Sequence, residues 1–141
     1  MNHIRIMSKN KAKRYSYKKN IPISFIVSIY SNYNTPCRFS NNQNIKFIKH
    51  WCFDDLDDNR GITQMQAREI AKFVIQYQDI DTLIVHCDAG ISRSAGIAAA
   101  ISKWYFGSDD WVFDNNMYHP NMRCYNFMLE ELYFNMGGVK R

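Results

Sequence analysis

The segment Val85-His86-Cys87-Asp88-Ala89-Gly90-Ile91-Ser92-Arg93-Ser94 joins two elements of opposite character. The β-branched run Thr82-Leu83-Ile84-Val85 leads into it without a breaker, and the small, helix-favouring residues Ala95 to Ile101 lead out. It therefore reads as strand, tight loop, helix. Where a helix begins, the first backbone N–H groups have no intrahelical partner and the positive end of the helix dipole faces the bend. Such a bend binds an anion of phosphate size, here through the amides of Asp88, Ala89, Gly90, Ile91, Ser92 and Arg93. Gly90 permits a backbone conformation closed to residues with a Cβ, and the Arg93 side chain can return its planar fork to the same anion. A thiol, Cys87, opens the loop. The dipole, the loop amides, Arg93 and the Ser94 hydroxyl all favour its thiolate form.

A nucleophilic sulfur on the floor of a phosphate cradle points to in-line displacement on a phosphate monoester through a phosphocysteine intermediate. His86-Cys87, five intervening residues and then Arg93-Ser94 resemble the signature loop of the cysteine-dependent protein tyrosine phosphatase superfamily. The filler Asp-Ala-Gly-Ile-Ser resembles that of its dual-specificity branch, and the closing segment Pro120-Asn121-Met122-Arg123 resembles the final helix of small microbial and phage members. A buried inert cysteine rarely comes with a glycine and an arginine at this spacing.

Upstream of the strand, Asp79-Ile80-Asp81 is a turn. Before it, Ile62 to Gln78 carries a capping box at Thr63-Gln64-Met65-Gln66 and apolar residues at helical spacing: Ala67, Ile70, Ala71, Phe73, Val74 and Tyr77. Helix followed by strand implies a crossover in a largely parallel sheet. Still earlier stands Phe53-Asp54-Asp55-Leu56-Asp57-Asp58-Asn59-Arg60-Gly61. Phosphate transfer needs a proton donor for the departing oxygen, and any of these four carboxylates could supply it. The resemblance implies an aspartic acid about thirty residues before the cysteine and two after a hydrophobic residue, on a loop between a strand and the helix preceding the signature. Asp55, 32 residues before Cys87 and two after Phe53, meets both conditions. Asp54 and Asp57 follow in order, and Asp58 comes last.

Ile21 to Tyr30 is an apolar run that reads as a central strand limited by Pro22, Ser31 to Asn44 as a surface loop, and Ile45 to Phe53 as a further strand. Downstream, Ala95 to Ile101 forms a helix buried nearly all round, ending at Trp104-Tyr105-Phe106 and capped by Gly107. Ser108 to Trp111 starts a short helical turn. A last helix has Pro120 in its first turn and Tyr125, Met128, Leu129, Leu132 and Tyr133 on one face. The fold expected is α/β, a parallel-dominated sheet of four or five strands flanked by helices, with the site at the carboxyl end of a strand.

The chain has 141 residues, enough for one domain with a real core. Residues 1–20 read as a basic N-terminal arm suited to an anionic partner, 21–136 as a single catalytic domain and 137–141 as a frayed tail. No apolar run approaches the length of about 20 that spans a bilayer, so the expectation is a soluble, cytoplasmic protein. Cys37, Cys52, Cys87 and Cys124 form neither a C-x-x-C pair nor a metal-ligand pattern, so neither a disulfide framework nor a zinc site is indicated. Cys52 is a conceivable resolving partner for Cys87, though a half-buried strand cysteine is the simpler reading. His86 can orient the loop by donating to backbone and help tune the thiolate. His3, His50 and His119 have no assigned role.

The mechanism implied places Cys87 as nucleophile, Arg93 and the loop amides on the equatorial oxygens, Asp55 as acid and then base, and Ser94 beside the departing thiolate. No metal or cofactor is called for, since arginine and amides supply the positive field. The partner expected is a phosphorylated protein or peptide carrying phosphotyrosine and phosphoserine or phosphothreonine. In the superfamily that the loop resembles, phosphatases of polyanionic inositol lipids tend to place basic residues in this loop, so Asp88 and the lack of a lysine here disfavour such substrates. Two other readings stand beside this one: an RNA 5′-triphosphatase, which the basic arm would suit, and a catalytically silent phosphoprotein-binding pseudophosphatase.

Overall fold

The computed structural model of the chain describes residues 1–135. Four strands make one sheet in the order β1-β4-β2-β3, where β1 is His3–Ser8, β2 Ser24–Tyr30, β3 Ile45–Cys52 and β4 Thr82–Cys87. Every neighbouring pair is parallel. Parallel neighbours need crossovers: α1 Lys9–Ser16 carries the chain from β1 to β2, residues 31–44 carry it from β2 to β3 without a helix, and α2 Gln64–Gln76 carries it from β3 to β4. After the last strand come α3 Arg93–Phe106, the single turn α4 Asp110–Phe113 and α5 Met122–Glu130, continued by a π-helical turn Glu131–Asn135.

β2 and β4 hold the middle of the sheet and are buried along almost their whole length, as their continuous apolar sequence demands. Phe25, Val27 and Ile29 face the main core with Leu83 and Val85, under α2, α3 and α5. Ile26 and Ile84 face the opposite side, where Ala12 and Tyr15 of α1 close over them with Met7 and Ile21. β4 therefore has no wet face, and its last residue, Cys87, leaves the sheet in an interior already filled from both sides.

Two glycines set how closely the pieces meet. Gly90, at φ 71°, lies so near β1 that a Cβ would stand 2.5 Å from the Ser8 nitrogen. At Gly96 a Cβ would stand 2.4 Å from the Asn121 carbonyl oxygen, so α3 and the start of α5 touch backbone to backbone. The capping box at Thr63 forms in full, with the Thr63 hydroxyl accepting from Gln66 N and the Gln66 side chain accepting from Thr63 N.

Several expectations need correction. Residues 1–20 are not an arm: His3–Ser8 joins the sheet edge in register with β4, Ser8 opposite Cys87, and Lys9–Ser16 is a helix capped by the Ser8 hydroxyl. Alternation in β1 turns Ile4 and Ile6 to the main core and Arg5 and Met7 to the α1 side, where Met7 is buried and Arg5 stays exposed, so the basic residues ride on an amphipathic outer layer. β2 begins at Ser24 rather than Ile21; Ile21 packs into the smaller core ahead of it. Pro120 precedes the last helix instead of opening it, because Asn121 is the N-cap and its side chain accepts from Cys124 N. The expected tail 137–141 lies outside the described residues.

Candidate active site

The carboxyl ends of β4, β2 and β3 converge on one side chain. Arg93, buried at the first turn of α3, donates from one terminal nitrogen to the Ser31 hydroxyl (2.9 Å) just after β2 and to the Phe53 carbonyl (2.7 Å) just after β3. Its other terminal nitrogen donates to Asp88 Oδ2 at 3.2 Å. Its Nε–H is buried and has no partner among the described residues. A buried guanidinium nitrogen left unpaired is costly unless the site normally supplies an acceptor. The amides of Ala89, Gly90, Ile91 and Ser92 likewise have no partner among the described residues. Ser92, the N-cap of α3, does not spend its hydroxyl on the helix. Unpaired donors thus accumulate around the loop, which is the electrostatic make-up of an oxyanion cup.

Cys87 sits at the base of that cup, 2 % exposed, with Sγ 3.1 Å from Ser94 Oγ. The loop is fixed from outside: Lys9 N donates to the Asp88 carbonyl, His119 N to that of Ile91 and Asn121 N to that of Ser92. β1, α1 and the approach to α5 therefore brace it without using its inward donors.

His86 is buried behind the loop, and burial pushes its imidazole down to about 4, so it is neutral. Its Nδ1 lies 3.4 Å from the Cys87 carbonyl, an acceptor, which places the proton on Nδ1. Nε2 then accepts from the Ser28 hydroxyl at 2.7 Å, and Ser28 Oγ accepts from His50 Nδ1 at 2.8 Å. The result is a hydrogen-bonded file across β4, β2 and β3 from the loop to the exposed His50. Phe39 packs against both imidazoles.

The four carboxylates of the acidic run part company. Asp55 lines the cleft of about 360 Å³ that contains Cys87, Asp88, Ser92 and Arg93. Its Oδ1 accepts from the Ser92 hydroxyl (2.8 Å) and from Asn121 Nδ2 (2.9 Å), while Oδ2 has no partner among the described residues. Asp54 turns away to accept from Asn32 N, and Asp57 is exposed and absent from the cleft lining. Asp58 is paired with Arg60 and held at about 2 by it. Cys52 ends β3 with its Sγ 3.6 Å from Asn32 Oδ1, and all four cysteines are free.

Sequence reasoning missed four contributors: Ser31, Asn121, Ser28 and His50. Each acts through a partner more than twenty residues away, and none carries a local pattern of its own. The nearest to a signal was Asn121, in a residue type that favours helix N-caps, directly before an amphipathic run.

No family model matches the chain, and no curated protein matches it in sequence. Among solved structures it is similar to human tyrosine phosphatase-like serine/threonine/tyrosine-interacting protein, with a TM-score of 0.64 at 16% identity over 92% of this chain and 95% of that one. It is also similar to PTPMT1 in complex with PI(5)P, with a TM-score of 0.57 at 17% identity over 94% of this chain and 91% of that one. The sheet and helices described above are therefore those of the tyrosine phosphatase-like α/β fold, over nearly the whole chain. No helix among the described residues is long and apolar enough to cross a membrane.

Proposed function

We propose that this chain hydrolyses phosphate monoesters of proteins, phosphotyrosine and phosphoserine or phosphothreonine alike, through a phosphocysteine intermediate. The observation that carries the reading is the meeting, in one cleft, of Cys87, the unpaired Arg93 Nε and loop amides, and the Asp55 carboxyl. In the first step Cys87 Sγ attacks phosphorus, the P–O ester bond breaks, and Asp55 Oδ2 gives its proton to the leaving oxygen. The three equatorial oxygens lie against Arg93 and the amides, whose dipoles are already oriented and need no reorganisation. In the second step Asp55 takes a proton from water, the water oxygen forms the new P–O bond, and the S–P bond breaks. The Ser94 hydroxyl, 3.1 Å from Sγ, donates to the departing thiolate.

An aryl phosphate provides the test. Wild-type protein turns it over and Cys87→Ser does not, while Cys87→Ser still binds vanadate or phosphate; turnover near wild type in Cys87→Ser removes the sulfur from the mechanism. Asp55→Asn slows turnover by about a hundredfold and flattens the basic limb of the pH profile. If Asp54→Asn or Asp57→Asn does so instead, the acid is misassigned.

A silent phosphoprotein-binding module is favoured over an enzyme by one observation, the engagement of Arg93 by Asp88 within the chain itself. Wild-type protein that binds phosphopeptide but releases no phosphate would establish it. The RNA 5′-triphosphatase reading is tested by supplying triphosphate-ended RNA beside phosphopeptides.

A further inference from the structure

The chain's positive charge is concentrated in one place. Seven of its eighteen Lys and Arg, and none of its thirteen Asp and Glu, fall in residues 1–20, leaving the remainder slightly acidic. Folding gathers four of those cations, Arg5, Lys11, Arg14 and Lys18, around a groove of about 370 Å³ floored by Tyr15, with no carboxylate among its lining residues. All four are exposed, and among the described residues none is in an ion pair. Lys11 and Arg14, three apart, share a face of α1, and Lys18 joins them from just beyond the helix end. Arg5 reaches the same groove from β1, its guanidinium 5.9 Å from the Tyr15 ring centre.

This groove adjoins the candidate active site by way of shared lining residues. Lys11 also lines a shallow depression with Ala89, Ile91, Met117 and Tyr118, and Ala89 and Ile91 belong in turn to the cleft above Cys87. A track thus runs from the nucleophile, over an apolar step with Ile91 40% and Met117 74% exposed, onto four unneutralised cations. The aromatic side chain lining the groove, Tyr15, is 4% exposed and offers no ring face on which a base could stack. An apolar step followed by fixed cations matches a polypeptide with aliphatic and then acidic side chains.

We infer that the groove is a second recognition site, which binds a run of carboxylates flanking the phosphorylated residue of a protein substrate. The inference rests on the phosphatase reading and narrows it to phosphoproteins with an acidic flank. With Lys11 and Arg14 a turn apart on α1, Lys18 beyond its end and Arg5 on β1, the cations are spread along the groove and suit a short acidic run rather than a single carboxylate. Selectivity arises in KM and in association rate and weakens as salt screens charges beyond about 8 to 10 Å.

The test compares one phosphopeptide sequence in three forms, with an Asp/Glu run on the amino side, on the carboxyl side, or replaced by Ser/Gln, against wild type and Lys11→Glu/Arg14→Glu. An aryl phosphate reports the chemistry alone. The expected result is a KM about tenfold lower for one acidic peptide than for the neutral one, lost in the double variant, with aryl phosphate turnover unchanged. Equal KM values for all three peptides, or a preference that survives charge reversal, overturns the inference. A parallel titration uses Cys87→Ser protein with a labelled, unphosphorylated acidic peptide, competed by a single-stranded oligoribonucleotide. Binding that weakens with Lys11→Glu/Arg14→Glu and with salt supports the groove; tighter binding of the oligoribonucleotide than of the peptide overturns the choice of partner. Peptide binding with an enzyme inert to aryl phosphate would overturn the phosphatase reading and leave the groove standing.

Discussion

Asp88 Oδ2 accepts from both Ser31 and Arg93, so the carboxylate shares the guanidinium that an incoming phosphate needs. The pair is partly buried, where charges attract more strongly than at the open surface. Substrate must compete for Arg93, and a substrate with further negative charge close to phosphorus meets Asp88 as a repulsive neighbour. Asp88→Asn should therefore tighten inhibition by vanadate and phosphate by about tenfold. Unchanged inhibition constants would show that Asp88 does not oppose the anion. At this scale the sequence was most readable where chemistry is contiguous. Cys87, Arg93 and Ser94 lie on eight consecutive residues whose backbone path a strand, one glycine and a helix start already dictate. Ser31 and Asn121 were not readable, because what they hold, Arg93 and Asp55, lies 62 and 66 residues away.

Among the elements, the α3–α5 contact ties architecture to the proposed acid. Asn121 caps α5 with its side-chain oxygen and tethers Asp55 with its side-chain nitrogen, so the position of α5 sets where the carboxyl stands. That position depends on Gly96, where a methyl group would meet the Asn121 carbonyl oxygen. Gly96→Ala should cost about 1–3 kcal/mol of stability by overpacking, measured by denaturant unfolding. It should also lower turnover of aryl phosphate while leaving vanadate affinity near wild type. An unaffected rate would uncouple α5 from Asp55. The small residues of α3 were readable in the sequence as a helix buried nearly all round, but the contact of Gly96 with the start of α5 was not, since topology settles it. The four strands divide the same way. β2 and β4 are unbroken apolar runs and declared themselves, whereas β1 is short, alternating and followed by lysines, so its charge obscured its pairing.

For the whole molecule, the file that runs from buried His86 through Ser28 to His50 links the loop to global stability. His86 is neutral in the fold, pushed from 6.5 to about 4 by burial. In the unfolded chain it takes up a proton as pH falls below 6.5, so the unfolded state binds more protons and stability rises with pH through that window. This group accounts for about 3 kcal/mol, present above pH 6.5 and lost progressively towards pH 4. Denaturant midpoints measured between those limits should fall with pH in the wild type and fall less in His86→Gln. Parallel curves for the two proteins would mean that His86 is not held neutral. Charge is also unevenly distributed over the molecule: a slightly acidic body bears one basic edge, and the fold sets that edge beside the cleft.

Everything in the proposed mechanism passes through one covalent bond between Cys87 Sγ and phosphorus. Rapid acid quench of wild-type protein with an aryl phosphate, followed by peptide mass spectrometry, tests it directly. A phosphoryl adduct is expected on the peptide containing Cys87, absent in Cys87→Ser and more abundant when Asp55→Asn slows hydrolysis of the intermediate. Turnover with no adduct on Cys87, or an adduct on another residue, would contradict it.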